Sequence, residues 1–89
     1  MPSIEFTPHL ALHVACRSLQ VDALDLATAL DIAFAQIPRL KGYVLDDQNI
    51  IRQHVAIFVD NELIRDRRQW NLPLKPDSQI YVMQALSGG

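Results

Sequence analysis

The chain finishes on Leu86-Ser87-Gly88-Gly89, its side chains shrinking away before the terminal carboxylate. Such an end can be pushed into a partner's active site, because glycine has no Cβ to clash with a narrow channel. Gly89 would then carry the reactive carboxylate, with Gly88 the slim residue behind it and Ser87 and Leu86 completing the tether. Two terminal glycines also arise by accident in roughly one chain in 200, given glycine at about 7% of residues. The pair acquires meaning only on a suitable scaffold. The other reactive side chains form no comparable arrangement. His9, His13 and His54 lack cysteine or carboxylate partners at ligand spacing, so no metal site is expected. Cys16 has no Cys-x-x-Cys partner and reads as a packed or surface thiol. Asp46-Asp47 are neighbours in a polar stretch and read as solvated carboxylates rather than an acid/base pair. No glycine-rich phosphate loop is present, and Trp70 reads as a cap on a small core.

The elements that must position this end fit in one domain. A chain of 89 residues buries about 60–65% of its unfolded surface, so its core has to be economical. With 49% apolar and 20% charged residues the composition is that of an ordinary globule. No apolar run approaches the length of a bilayer span, and Met1-Pro2-Ser3-Ile4-Glu5 lacks the features of a signal peptide. The lone cysteine suits a reducing compartment, and the expected location is the cytoplasm. A net charge of −2 gives no electrostatic reason to bind nucleic acid. Arg65-Asp66-Arg67-Arg68, the local concentration of positive charge, reads as a solvated loop. Its other reading is a contact for an acidic protein face.

Ser3-Ile4-Glu5-Phe6 alternates and stops at Thr7-Pro8, which predicts a first strand. His9 to Val14 is apolar without a clean period. Cys16 to Val21 alternates again and can pair back on the first strand. From Asp25 the period becomes about 3.6, with Leu26, Leu30, Ala33, Phe34 and Ile37 on one stripe. Asp25 is suited to cap this helix, and Pro38 ends it by forcing Ile37 out of the helical region. Arg39 to Gln53 reads as a loop with a short irregular segment near Tyr43-Val44-Leu45. His54 to Val59 is the strongest strand, Val55, Ile57 and Val59 facing one way. Asp60-Asn61 forms a two-residue turn that tolerates positive φ, and Glu62-Leu63-Ile64 returns. Leu72-Pro73-Leu74 leads into a turn at Lys75-Pro76-Asp77-Ser78, and Gln79 to Ala85 is the last strand. One apolar helix face calls for one sheet. The expected fold class is α+β, a mixed sheet packed on one main helix, with the first and last strands able to lie side by side at its middle.

On these residues the sequence resembles the β-grasp, or ubiquitin-like, fold and within it the ThiS/MoaD-type sulfur-carrier family. The resemblance rests on Ile4-Glu5-Phe6, the helix ending at Ile37-Pro38, and the block from His54 to Glu62. It continues through Leu74-Lys75-Pro76-Asp77 and the ending from Ile80 to Gly89. Asp60-Asn61 stands where relatives often carry Asn-Gly, Pro76-Asp77-Ser78 where Asp-Gly-Asp is usual, and Gln84 where a proline is common.

The resemblance implies that residues 1–85 form the domain and residues 86–89 a flexible tail. It implies that a ubiquitin-activating-type (ThiF/MoeB-like) adenylating enzyme joins the Gly89 carboxylate to AMP, using its own ATP. A sulfur nucleophile then displaces AMP and leaves a thiocarboxylate for a sulfur-accepting synthase. The protein would be a consumed reagent with no bound cofactor, and not an enzyme. In the last strand Ile80 and Val82 suit the core, which turns Tyr81 and Met83 to the opposite face with Phe58. These three are the candidates for docking the partner. Two further readings are a ubiquitin-like modifier conjugated through the same glycine, and an interaction domain that merely ends in glycine.

Overall fold

The computed structural model describes residues 1–7 and 18–84. Strand β1 (Ser3–Phe6) buries Ile4 and Phe6 and exposes Glu5, so the alternation in sequence becomes alternation in burial. Strand β2 (Ser18–Gln20) pairs antiparallel with it, Ser3 opposite Gln20. The last strand, β5 (Gln79–Gln84), runs parallel to β1 on its other side, with Ile4 beside Ile80 and Phe6 beside Val82. It also pairs antiparallel with β3 (Val55–Val59), Ile57 opposite Val82, and β4 (Glu62–Leu63) completes the sheet. The order is β2-β1-β5-β3-β4. This is the β-grasp arrangement expected, with the first and last strands at the middle. Cys16, His9, His13 and the stretch from His9 to Val14 lie outside the described residues.

Helix α1 (Leu26–Gln36) lays Leu26, Ala29, Leu30, Ala33 and Phe34 into one core with Ile4, Val55, Ile57, Ile80 and Val82. Ile37 packs against it from the rim. A helix leaves its first N–H groups without internal partners, and here those of Leu26, Ala27 and Thr28 each have one outside the helical ladder. Asp25 caps the helix, its carboxylate accepting from Thr28 N–H at 2.8 Å and its carbonyl from Ala29 N–H at 3.1 Å. Leu26 N–H donates to the Leu72 carbonyl at 2.9 Å and Ala27 N–H to Asn71 Oδ1 at 2.8 Å. The helix start is thereby fastened to the 71–74 segment.

Ile37 (φ −129°, ψ 82°) breaks the helix as Pro38 requires. The expectation of a loop from Arg39 is corrected, however: Pro38–Val44 forms a second helix, α2. Proline ends one helix and starts the next because its fixed φ and missing N–H suit the first helical position. Leu40 and Val44, one turn apart, bury this short helix against the core.

Polar side chains hold the long connections. Asp46, expected to be merely solvated, accepts from Gln48 N–H (2.8 Å) and Ile50 N–H (3.0 Å) and so shapes its own turn. Arg67 departs from the solvated reading of its cluster. It is half-buried, and its Nη1 donates to the Val55 carbonyl (3.0 Å), the Ile51 carbonyl (3.4 Å) and the Arg52 carbonyl. Trp70 caps the core as expected, its Nε1–H donating to the Asn49 carbonyl at 2.9 Å. Asp60 and Asn61 take φ of 50° and 69°, the mirror-image turn that matches strand twist. The Asp60 carboxylate accepts from Gln79 N–H and from the Ser78 hydroxyl, both at 2.9 Å. Ser78 Oγ in turn accepts from Lys75 N–H at 2.8 Å. Ser78 is 1% exposed and joins two turns and the start of β5.

Hydrogen bonds hold four carboxyls below the usual carboxylate range: Asp25 through Thr28, Asp46 through Ile50, Asp60 through Gln79 and Asp66 through Gln69. A depressed folded value contributes stability that is complete above the unfolded pKa and lost as pH falls through the folded one. Unfolding free energy is therefore expected to hold steady near neutrality and decline below about pH 4. Denaturant titrations across that range check this, and Asp60→Asn should flatten the decline. A second prediction concerns Gly42 in α2, where an added Cβ meets nothing within 4 Å. Gly42→Ala should raise stability by about 0.5–1 kcal/mol in the same titrations, by lowering the chain entropy lost on folding.

Candidate functional site: the outer sheet face beside the last strand

Pairing register decides which side chains share the face turned away from the helices. Val55, Ile57 and Val59 of β3 are buried, as are Ile80 and Val82 of β5. The residues between them must point outward. Phe58 and Tyr81 are directly opposite each other across the β3–β5 ladder, and Met83 lies two residues beyond Tyr81, opposite Ala56. The structure thus brings together the three residues that alternation selects. Tyr81 is 39% exposed; Phe58 and Met83 are half-buried.

Leu63 is a member of this face that the sequence reading did not assign. It sits opposite Phe58 on β4 and is 40% exposed. The two-residue turn at Asp60-Asn61 contained the information, since a fixed hairpin turn fixes the register that places Leu63 beside Phe58. One row across the sheet now reads Ser18, Glu5, Tyr81, Phe58, Leu63. Its β2–β1 half is polar and its β5–β3–β4 half apolar. An aromatic, partly exposed strip bounded by a carboxylate can bind a protein surface in one orientation.

This face lies along the strand from which the chain's last residues depart. β5 has a hydrogen-bonded neighbour on each side, and Gln84 is its final described residue. Leu86, Ser87, Gly88 and Gly89 lie outside the described residues. At the same end of the sheet two side-chain oxygens, Thr7 Oγ1 and Gln84 Oε1, are buried without hydrogen-bond partners among the described residues. Gln84 is the residue that stands where proline is common in the family resembled. His54 is half-buried, its ring meeting Tyr43 edge-on at 5.2 Å between centroids. Among the described residues no three or more His, Cys, Asp and Glu side chains are grouped to hold a metal ion. Among those same residues no helix is long and apolar enough to cross a membrane.

No protein-family model matches the chain, and no curated protein matches it by sequence. Solved structures do match over nearly the full length. SAMP1 from Haloferax volcanii is 19% identical, with a TM-score of 0.79 over 99% of this chain and 98% of that one. A chain of the Amycolatopsis orientalis BexX/CysO complex is 13% identical, with a TM-score of 0.83 and complete coverage of both chains. CysO from Mycobacterium tuberculosis is also 13% identical, with a TM-score of 0.81 over 97% and 100%. These are ubiquitin-like, β-grasp proteins, and at such identities the likeness establishes the shared fold.

Neighbouring residues of β5 should respond unequally to truncation. Ile80→Ala empties a fully buried position and should cost about 2–5 kcal/mol. Tyr81→Ala removes a cross-strand partner of Phe58 on the open face and should cost about 1 kcal/mol or less. Equilibrium unfolding of the two variants measures the difference.

Proposed function

We propose that this protein is a sulfur carrier working through a thiocarboxylate on Gly89. One observation carries the reading: the last described strand is the central strand of the sheet, flanked by the apolar strip of Phe58, Tyr81 and Met83. A partner gripping that strip holds β5 rigidly by its outer side. Residues 86–89 then serve as the tether, and four extended residues reach at most about 14 Å beyond residue 85. That suffices to bring a carboxylate from a docked body into a recessed site. The fold shared with CysO and with SAMP1, a small archaeal modifier protein, supports the proposal.

The chemistry belongs to the partner. A carboxylate resists nucleophiles because it is negatively charged and oxide is a very poor leaving group. An adenylating enzyme of the ubiquitin-activating type would transfer AMP from ATP to the Gly89 carboxylate and release pyrophosphate. A sulfur nucleophile attacks the resulting acyl adenylate, AMP departs with the C–O bond electrons, and sulfur remains on the carbonyl carbon. The thiocarboxylate, ionised at neutral pH, is then a soft nucleophile for a sulfur-accepting synthase. In this role the protein is a co-substrate, in the cytoplasm, with no cofactor of its own. A second reading is favoured by the likeness to small archaeal modifier protein 1 from Methanosarcina acetivorans, with a TM-score of 0.82 and 17% identity. In that reading the activated Gly89 would end as an amide on a lysine of another protein.

Intact-mass analysis after incubation with ATP, such an enzyme and sulfide tests the proposal. The expected result is one oxygen-to-sulfur exchange confined to the C-terminal peptide, absent when Gly88 and Gly89 are deleted. An unchanged mass, with an enzyme active on its own carrier, overturns it. Higher-mass conjugates in the source cell, lost with the same deletion, mark the modifier role instead. Tyr81→Lys should leave stability nearly unchanged yet raise the carrier concentration needed for half-maximal adenylation about tenfold or more, as charge enters the apolar strip.

A further inference from the structure

A groove of about 360 Å3 opens beside β4, meeting the outer face only at Leu63. Val59, Ile64, Trp70 and Leu72 give it apolar walls, while Glu62 and Arg65 stand at its rim. It borders a sheet edge that is unpaired among the described residues, where no strand follows β4 in the sheet order. The hydrogen-bond phase settles what that edge offers. Ile64 N–H donates to the Ile57 carbonyl, so Ile64 faces β3. In an antiparallel ladder the adjacent residue faces the other way, and Leu63 therefore turns its N–H and C=O outward beside the groove.

We propose that this edge receives an extended peptide strand of another protein, with one apolar side chain seated in the Trp70 groove. An antiparallel strand satisfies the edge economically, since a single residue exchanges both hydrogen bonds with Leu63. Charge chooses the flanks. Glu62 and, beyond it, Asp60 make the turn end of β4 anionic. Arg65 begins the run Arg65-Asp66-Arg67-Arg68, which makes the other end cationic. The fitting occupant therefore carries acidic residues before its apolar anchor and basic residues after it. Trp70 is pinned through its Nε1–H to Asn49, so the groove wall is set before binding.

The chain's single tryptophan makes the groove report on itself. The full chain is titrated with the blocked peptide Asp-Asp-Val-Ile-Val-Lys-Lys, and Trp70 emission is followed together with backbone amide shifts. A saturable emission change with amide shifts centred on Leu63 and Ile64 is the expected result, weakening as salt is added. Leu63→Pro deletes the outward N–H but leaves the bonds to β3, and should weaken binding about tenfold. Arg65→Glu, at an exposed position, should weaken this peptide by a similar factor. Three results would each overturn the proposal: no emission change up to about 1 mM peptide, undiminished binding by folded Leu63→Pro, or equal or tighter binding of Lys-Lys-Val-Ile-Val-Asp-Asp. Amide shifts confined to Tyr81 and Phe58 would do so as well, by moving the contact to the outer face.

Discussion

The paired register of β5 is the constraint on which the rest of the molecule depends. Its residues answer to β1 on one side and β3 on the other, in opposite strand directions. A slip of one residue against either neighbour would turn Ile80 and Val82 to solvent and drive Tyr81 and Met83 into the core. Core and outer face are therefore specified together. The same pairing holds the strand rigid up to Gln84, which gives the proposed tether a firm origin.

A polar clasp secures the other end of that strand. Asp60, Ser78 and the Lys75 amide form a continuous hydrogen-bonded path beneath the first residue of β5. Ser3 N–H adds β1 by donating to the Ser78 carbonyl at 3.1 Å. Burying a serine hydroxyl is unfavourable when it is left unpaired, and here it both donates and accepts. The two ends of β5 thus differ in kind. One is held by the Asp60–Ser78 hydrogen bonds; the other bears the oxygens of Thr7 and Gln84, which have no partner among the described residues. The groove at β4 lies at a third place and meets the outer strip at Leu63, the residue the two surfaces share.

Short-range chemistry was legible where one residue type dominates its own conformation. Asp25 caps α1, Ile37 leaves the helical region ahead of Pro38, and Asp60-Asn61 adopts positive φ, all as local rules dictate. Alternation likewise selected Phe58, Tyr81 and Met83 for one face. Helix α2 was missed because proline was read only as a stop, although it is equally a start, and Leu40 and Val44 supply the one-turn spacing. Leu63 escaped because its place depends on carrying the turn register one step further.

By itself the sequence determined the periods, and with them the elements, the buried stripe and the outward triplet, because burial follows side-chain spacing along a single strand or helix. Only the tertiary structure decided which of three nearby arginines is structural. Arg65 and Arg68 are exposed, while Arg67 turns inward to carbonyls of residues 51, 52 and 55. It likewise decided that Asn71 and Leu72 complete the cap of a helix more than forty residues earlier. Such pairings join groups distant in the chain, and no local period encodes them. They are fixed by where the packed sheet and helices bring the backbone's unpaired groups.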